Sequence, residues 1–321
     1  MILIEVLVLI VSLVALAKSS SMVVDKAVKL SIFFGISTTA VGLILLSIST
    51  SLPELSVSIL SSTSGNGAIA AGNAFGSNIA NILLILGLGG FLYGFRLAKD
   101  GIQDIATILL LTTLLSAYII YAASISQRAL AFPEGVVLLV IFVLYVKTLL
   151  GRKQIENTGS GSVNKKEALH SFLWFFGSVL VVLISSGFVV DSSVKIASEL
   201  GLAQSFIGAT LVAVGTSLPE LSVDLQAIRK KRYGIALGDA IGSNMINLTL
   251  VLGAAAVINP IHITLPIFII ALLFSIVANI LLLYVAATTR KVTRNEGLLM
   301  LGIYVAYILI IFLAQAQSAG A

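Results

Sequence analysis

The apolar runs of this chain are too long and too many for a water-soluble fold. Hydrophobic side chains dominate ten segments, at 2–17, 33–62, 68–92, 102–123, 133–150, 168–190, 202–228, 234–258, 264–287 and 297–315. A helix needs ~20 such residues to cross the hydrocarbon core of a bilayer. Of the 321 residues only 10% are charged and 58% are hydrophobic, far from the balance of a soluble domain. The pattern predicts an all-α membrane protein with ten transmembrane helices. The first segment has no basic flank before it and no small-residue cleavage site after it, so it reads as a retained span. Cysteine is absent, which removes disulfides and thiolate metal sites. His170 and His262 fall near separate span ends, which argues against a histidine zinc site.

The basic residues predict which side is which. With the N-terminus outside, all of the 19 Lys and Arg except Arg128 and Lys195 fall in inside connections. The positive-inside rule then places both termini outside, an N-out/C-out protein. The run Arg229, Lys230, Lys231 and Arg232 is thereby explained as a topology signal, and no nucleic-acid partner is expected. Residues 151–167, rich in Gly, Ser and Asn, read as a cytoplasmic linker. They divide the chain into 1–150 and 168–321, five spans on each side.

These halves repeat. TSLPELSV stands at 50–57 and again at 216–223, an offset of 166. At the same offset, GNAFGSNIANI (72–82) matches GDAIGSNMINL (238–248). An odd number of spans in each half inserts the second upside down relative to the first. The expected architecture is therefore two inverted-topology five-helix repeats, with a substrate site near the midplane where they meet.

The repeated segments carry the chemistry. Glu54 and Glu220 are carboxylates at membrane depth, which cost roughly 2.5–3.5 kcal/mol on insertion scales unless partnered. Symmetry should bring them together, where two bare carboxylates repel. A bound cation answers both problems. Thr50 and Ser51 precede Glu54 by four and three residues, on its helical face. Thr216 and Ser217 stand likewise before Glu220, while Ser77 with Asn81 and Ser243 with Asn247 are i,i+4 pairs. Pro53 and Pro219 should bend their helices and free carbonyls near Ser49 and Gly215. A donor set of oxygen alone suits a hard cation such as calcium.

In T-S-L-P-E followed by G-x-x-x-G-S-N-x-x-N, each present twice, the sequence resembles the cation/calcium exchanger superfamily, and within it the prokaryotic sodium/calcium exchangers. The likeness covers both alpha-repeats, 36–92 and 202–258. It implies that Glu54 and Glu220 are the central calcium ligands and that Thr50, Ser51, Ser77 and Asn81, with Thr216, Ser217, Ser243 and Asn247, complete the cation sites. It also implies backbone ligands at Ser47 and Ala213. Sodium and calcium ions would be substrates, with no cofactor, no enzymatic activity and no obligate protein partner; membrane lipids are the surroundings and the cell membrane the location. Asn247, where potassium-dependent members carry aspartate, implies independence of potassium. The exchange would be electrogenic, three sodium ions against one calcium.

Two further acids depart from the first repeat. Asp239 replaces Asn73 and Asp224 replaces Ser58. Asp239 reads as a helix-start or vestibule residue, and Asp224 as a partner for the 229–232 basic run. Bland readings stand beside the site: the serines as close-packing residues and the asparagines as interhelical glue. The rival functions are a proton/calcium exchanger, which in that branch shows G-N-x-x-E at this motif, a cation channel, and an intramembrane hydrolase, for which no span offers a base beside Ser51 or Ser217.

Overall fold

A computed structural model describes residues 2–65, 67–97, 102–125, 129–151, 163–199, 215–262 and 265–319 of the chain. The first half comprises α1 (Ile2–Phe34), α2 (Thr38–Val41), a π-helical segment (Gly42–Leu46), α3 (Ser47–Thr50), α4 (Leu52–Thr63), α5 (Gly67–Ile79), a second π-helical segment (Ala80–Leu86), α6 (Gly87–Tyr93), α7 (Ile102–Ile125) and α8 (Phe132–Gly151). The second comprises α9 (Lys165–Glu199), α10 (Leu218–Arg229), α11 (Tyr233–Ile246), a third π-helical segment (Asn247–Val251), α12 (Leu252–Ile258), α13 (Leu265–Ala287) and α14 (Arg294–Ala319). Among the described residues eight helices are long and apolar enough to span a membrane, or nine when the bent pair 38–50 and 52–63 is one span. The expected span at 202–228 lies partly outside the described residues, as does most of the 151–167 linker. This is a multi-pass integral membrane protein.

The first span was expected to end at 17, yet α1 runs on for 33 residues. The polar stretch that interrupts its apolar run is satisfied inside the protein. Ser19 donates back to the Ala15 carbonyl (2.7 Å), and Ser20 shares a 2.7 Å hydrogen bond with Ser222 of α10. At its 35 residues α9 also exceeds its expected limits. Helices of this length reach ~50 Å and must tilt or protrude from a bilayer core of ~30 Å. They pack against each other along their length. Lys195 near the end of α9 pairs with Glu5 (3.6 Å) at the start of α1, and Lys29 pairs with Glu167 (2.7 Å) at the opposite ends. The two helices therefore run in opposite directions.

The middle of the molecule belongs to the repeated motifs. Ala70, Ala71, Ala74, Phe75 and Ile79 of α5 and Ile235 to Ile246 of α11 are buried. The outer helices α7, α8, α13 and α14 show large apolar side chains such as Leu114, Val143, Leu273 and Leu309, as a lipid-facing wall does. Small residues draw the central helices together. A Cβ on Gly238 would lie 2.4 Å from the Thr39 carbonyl oxygen, and one on Gly42 2.5 Å from that of Ile235, so backbone meets backbone there.

Two-residue strands tie the halves at their loops. β1 (Phe95–Arg96) pairs antiparallel with β4 (Lys291–Val292), and β2 (Ala129–Leu130) with β3 (Ile261–His262).

Candidate cation site

The expected bend is present in the first half. Between α3 and α4 the chain turns by 43°, at Ser51 with φ −78° and ψ 8°. Ser217, just before α10, has nearly the same backbone, φ −89° and ψ 9°. In each case a proline two residues on cannot continue the ladder and crowds the carbonyl four positions back. Thr50 and Ser51 thus sit at a break instead of along one continuous helical face. Glu54 and Glu220 lie in the first turn of the helices that restart there.

Both glutamates are buried. Glu54 Oε1 accepts from Ser77 (3.4 Å) in its own half and from Ser217 (3.3 Å) in the other, and those two hydroxyls are 3.2 Å apart. Glu220 faces Glu54, Thr50 and Asp239. Ser217, three residues before Glu220, thus reaches Glu54 across the halves. Thr216 donates to Asn73 Oδ1 (3.3 Å), and Thr50 to Asp239 Oδ1 (3.1 Å), the same contact made across the halves in both senses.

The pattern of unsatisfied atoms is the most informative feature. Buried polar atoms are normally hydrogen-bonded. Among the described residues fourteen buried side-chain oxygens lack a partner, and nine belong to Ser51, Glu54, Asn81, Glu220, Asp224, Asp239, Ser243 and Asn247. Six of those residues were expected as ligands from sequence. The Ser47 hydroxyl donates back along its own helix to the Leu43 carbonyl (2.8 Å) and so presents only lone pairs to its surroundings, while the Thr50 hydroxyl shares its one proton between the Leu46 carbonyl (3.2 Å) and Asp239. The Ser47 carbonyl, expected as a backbone ligand, accepts from the Ser51 N–H at 3.1 Å; Ala213 lies outside the described residues. No three His, Asp or Glu side chains among the described residues converge on one point. A cation here would be held by few carboxylates and many neutral oxygens, which suits sodium or calcium better than zinc.

Asn81 and Asn247 contribute differently from a simple ligand. Asn81 Nδ2 donates to Asn244 Oδ1 (3.0 Å) and Asn247 Nδ2 to Asn78 Oδ1 (3.1 Å), leaving each Oδ1 free. Asn78 and Asn244 also exchange bonds, each Nδ2 donating to the other's carbonyl at 3.1 Å. These two residues, 166 apart, were not singled out from sequence. Their signal was there, as the first asparagine of the duplicated G-S-N. They form a joint that is its own two-fold partner, fixing α5 to α11 beside the acids.

Two expectations are corrected. Asp224 does not pair with the 229–232 run. It is wholly buried with both carboxylate oxygens unpartnered, and Lys230 is engaged with Asp25 (2.7 Å) and the Ser21 carbonyl (2.7 Å). Asp239 is not at a helix start or in a vestibule. It lies in the second turn of α11, fully buried, because that turn packs inside the protein and not at a vestibule.

The arrangement has close counterparts. The model of the sodium/calcium exchanger protein family matches residues 4–151 and 170–313. Inner membrane protein YrbG of Escherichia coli K12 is 32% identical over 262 residues, covering 78% of this chain and 79% of that protein. The sodium/calcium exchanger MaX1 of Methanosarcina acetivorans is 29% identical over 97% of this chain and 99% of its own length. The solved structure of the sodium-calcium exchanger NCX_Mj, soaked with sodium and strontium, superposes with a TM-score of 0.82 at 28% identity, covering 96% of this chain and 99% of that one. With the duplicated motifs gathered at one buried oxygen cluster and a family match that spans nearly all of it, the chain belongs to the sodium/calcium exchanger family of membrane transporters.

Proposed function

We propose that the protein is a secondary antiporter that exchanges sodium for calcium by alternating access. The observation that carries this reading is the set of unpartnered buried oxygens on Glu54, Glu220, Ser51, Asn81, Ser243 and Asn247. Two carboxylates supply a charge matched by one calcium ion, and hydroxyl and amide oxygens complete a coordination of 6–8 oxygens. Sodium, of similar size and half the charge, competes for the same oxygens. Three sodium ions against one calcium would make the cycle electrogenic. With Asn247 carrying no charge, no potassium requirement is expected.

The proposed topology is ten spans, N-out/C-out, in inverted repeats, in the cell membrane. It draws support from the reciprocal Asn78–Asn244 bonds, the opposed directions of α1 and α9, and the strand pairs that join loops of one half to those of the other. The long α1–α9 pair is the moving layer in this reading, and the asparagine-jointed core stays fixed.

The test is calcium-45 uptake into proteoliposomes driven by an outward sodium gradient. Glu54→Gln and Glu220→Gln are each expected to abolish exchange. Full exchange by either variant would refute the site. Uptake that ignores sodium and follows a proton gradient would favour the proton/calcium alternative.

A further inference from the structure

The two halves match at the glutamates and differ one helical turn away. In the first half Asn73 Nδ2 donates to Ser58 Oγ (3.3 Å) and to the Glu54 carbonyl (3.2 Å). At the equivalent positions in the second half stand Asp239 and Asp224. Asp239 keeps half of the pattern, accepting from Thr50 as Asn73 accepts from Thr216. It cannot keep the other half, because a carboxylate has no N–H to give. Asp224 therefore faces another carboxylate. Both of its oxygens and Asp239 Oδ2 have no donor, and both residues are 0% exposed. The ion pairs among the described residues lie elsewhere, on Lys29, Lys195 and Lys230.

Two facing carboxylates shut away from water need either a shared proton or a counter-charge. One divalent ion between Glu54 and Glu220 leaves this second pair unbalanced. We propose that Asp224 and Asp239 form a second cation site that takes a calcium-class divalent ion. The proposal rests on the reading of Glu54 and Glu220 as the central site. Its donors are three carboxylate oxygens that make no hydrogen bond and the lone pairs of the Thr50 hydroxyl, with water completing the shell. Oxygen donors with a summed charge of −2 match a hard divalent ion.

The position gives the site a role. Asp224 lies one turn beyond Glu220 on α10, on the same face and toward Arg229. An ion travelling between the centre and the 229–232 end would meet it on the way. The opposite route passes the neutral Ser58 and Asn73. The protein would thus hold a charged waiting position on one side only, and its apparent calcium affinity would differ between the two faces.

Equilibrium binding of calcium-45 to the purified full-length chain in sodium-free detergent tests this. The wild type is expected to bind two calcium ions per chain. Asp224→Ser combined with Asp239→Asn, which installs the residues of the first half, is expected to bind one. Asp224→Asn alone, close in shape, is expected to weaken the second ion at least tenfold. A wild type that binds one ion, or a count unchanged by these substitutions, overturns the proposal. Glu54→Gln with Glu220→Gln is expected to leave one ion, at the aspartate pair; retention of two would count against the central site and leave this proposal standing. Thermal unfolding without calcium is the second readout. Relief of two facing carboxylates should leave the midpoint of the double variant equal to or above that of the wild type. A lower midpoint would make the pair a structural hydrogen-bonded dyad and overturn the cation site.

Discussion

Gly238→Ala isolates the close approach that builds the site. The new Cβ would stand 2.4 Å from the Thr39 carbonyl oxygen, 2.9 Å from the Leu43 nitrogen and 3.0 Å from Gly42 Cα. All three are backbone atoms, so no side chain can swing aside. Ordinary contact begins near 3.4 Å, so α11 must retreat from the 38–46 segment by about 1 Å. Overpacking of this kind costs about 1–3 kcal/mol, and alanine regains roughly 0.8–1 kcal/mol of helix propensity over glycine. A net loss of up to about 2 kcal/mol is expected, a fall of as much as a few degrees in the unfolding midpoint. Function should suffer more than stability. Asp239 follows Gly238 directly, and the same retreat would stretch its 3.1 Å bond from Thr50 beyond hydrogen-bonding range. The assay pairs thermal unfolding in detergent with sodium-dependent calcium flux, and Gly177→Ala serves as the control. Gly177 is exposed and has nothing within 4 Å of an added Cβ, so that variant should unfold no earlier than the wild type. If Gly238→Ala matched the control in both midpoint and flux, the backbone-contact reasoning would be wrong.

Three other variants probe the packing more narrowly. Asn244→Ala removes the donor to the Asn78 carbonyl and the acceptor of Asn81, while the main-chain carbonyl that Asn78 donates to remains; each buried group left unsatisfied costs about 1–3 kcal/mol, and a fall in the unfolding midpoint is expected. Thr113→Val removes a 2.6 Å bond to Asn279 of α13, yet that amide keeps the Leu109 carbonyl and Thr112 at 3.3 Å; the expected loss is below about 1 kcal/mol, read from denaturant unfolding in micelles. Glu167→Ala deletes a half-exposed pair with Lys29, and because water and salt screen such a bridge, neither the midpoint nor its salt dependence should move measurably.

The sequence announced the acids and concealed their setting. Glu54, Glu220 and their hydroxyl neighbours were legible because the same words occur twice at one offset, and duplication at membrane depth singles out chemistry from packing. The bend before Pro53 was legible for a local reason, the missing N–H. The lengths of α1 and α9 were not, since Ser19 and Ser20 look like the end of a span until their partners on the same helix and on α10 are known. Asp224 was misread because only three-dimensional packing reveals that Lys230 is engaged elsewhere. The Asn78–Asn244 joint depends on contacts between residues 166 positions apart, which no local pattern encodes.

The π-helical segments set an angular phase. In the first, Ser47 N–H reaches back five residues to the Gly42 carbonyl, and in the third Leu252 does the same to Asn247. Each widened turn holds one residue more than an α-helix would. Removing Ile44 would let 42–46 close to an α-helical turn and leave everything beyond it at nearly its present angle, since five steps around a π turn and four around an α turn each cover little more than one revolution. Ser47 and Thr50 would keep their identities, their order and their bearing on the glutamates. A one-residue deletion should therefore be better tolerated inside the widened turn than in the regular helix beside it, where each lost residue swings everything beyond by ~100°.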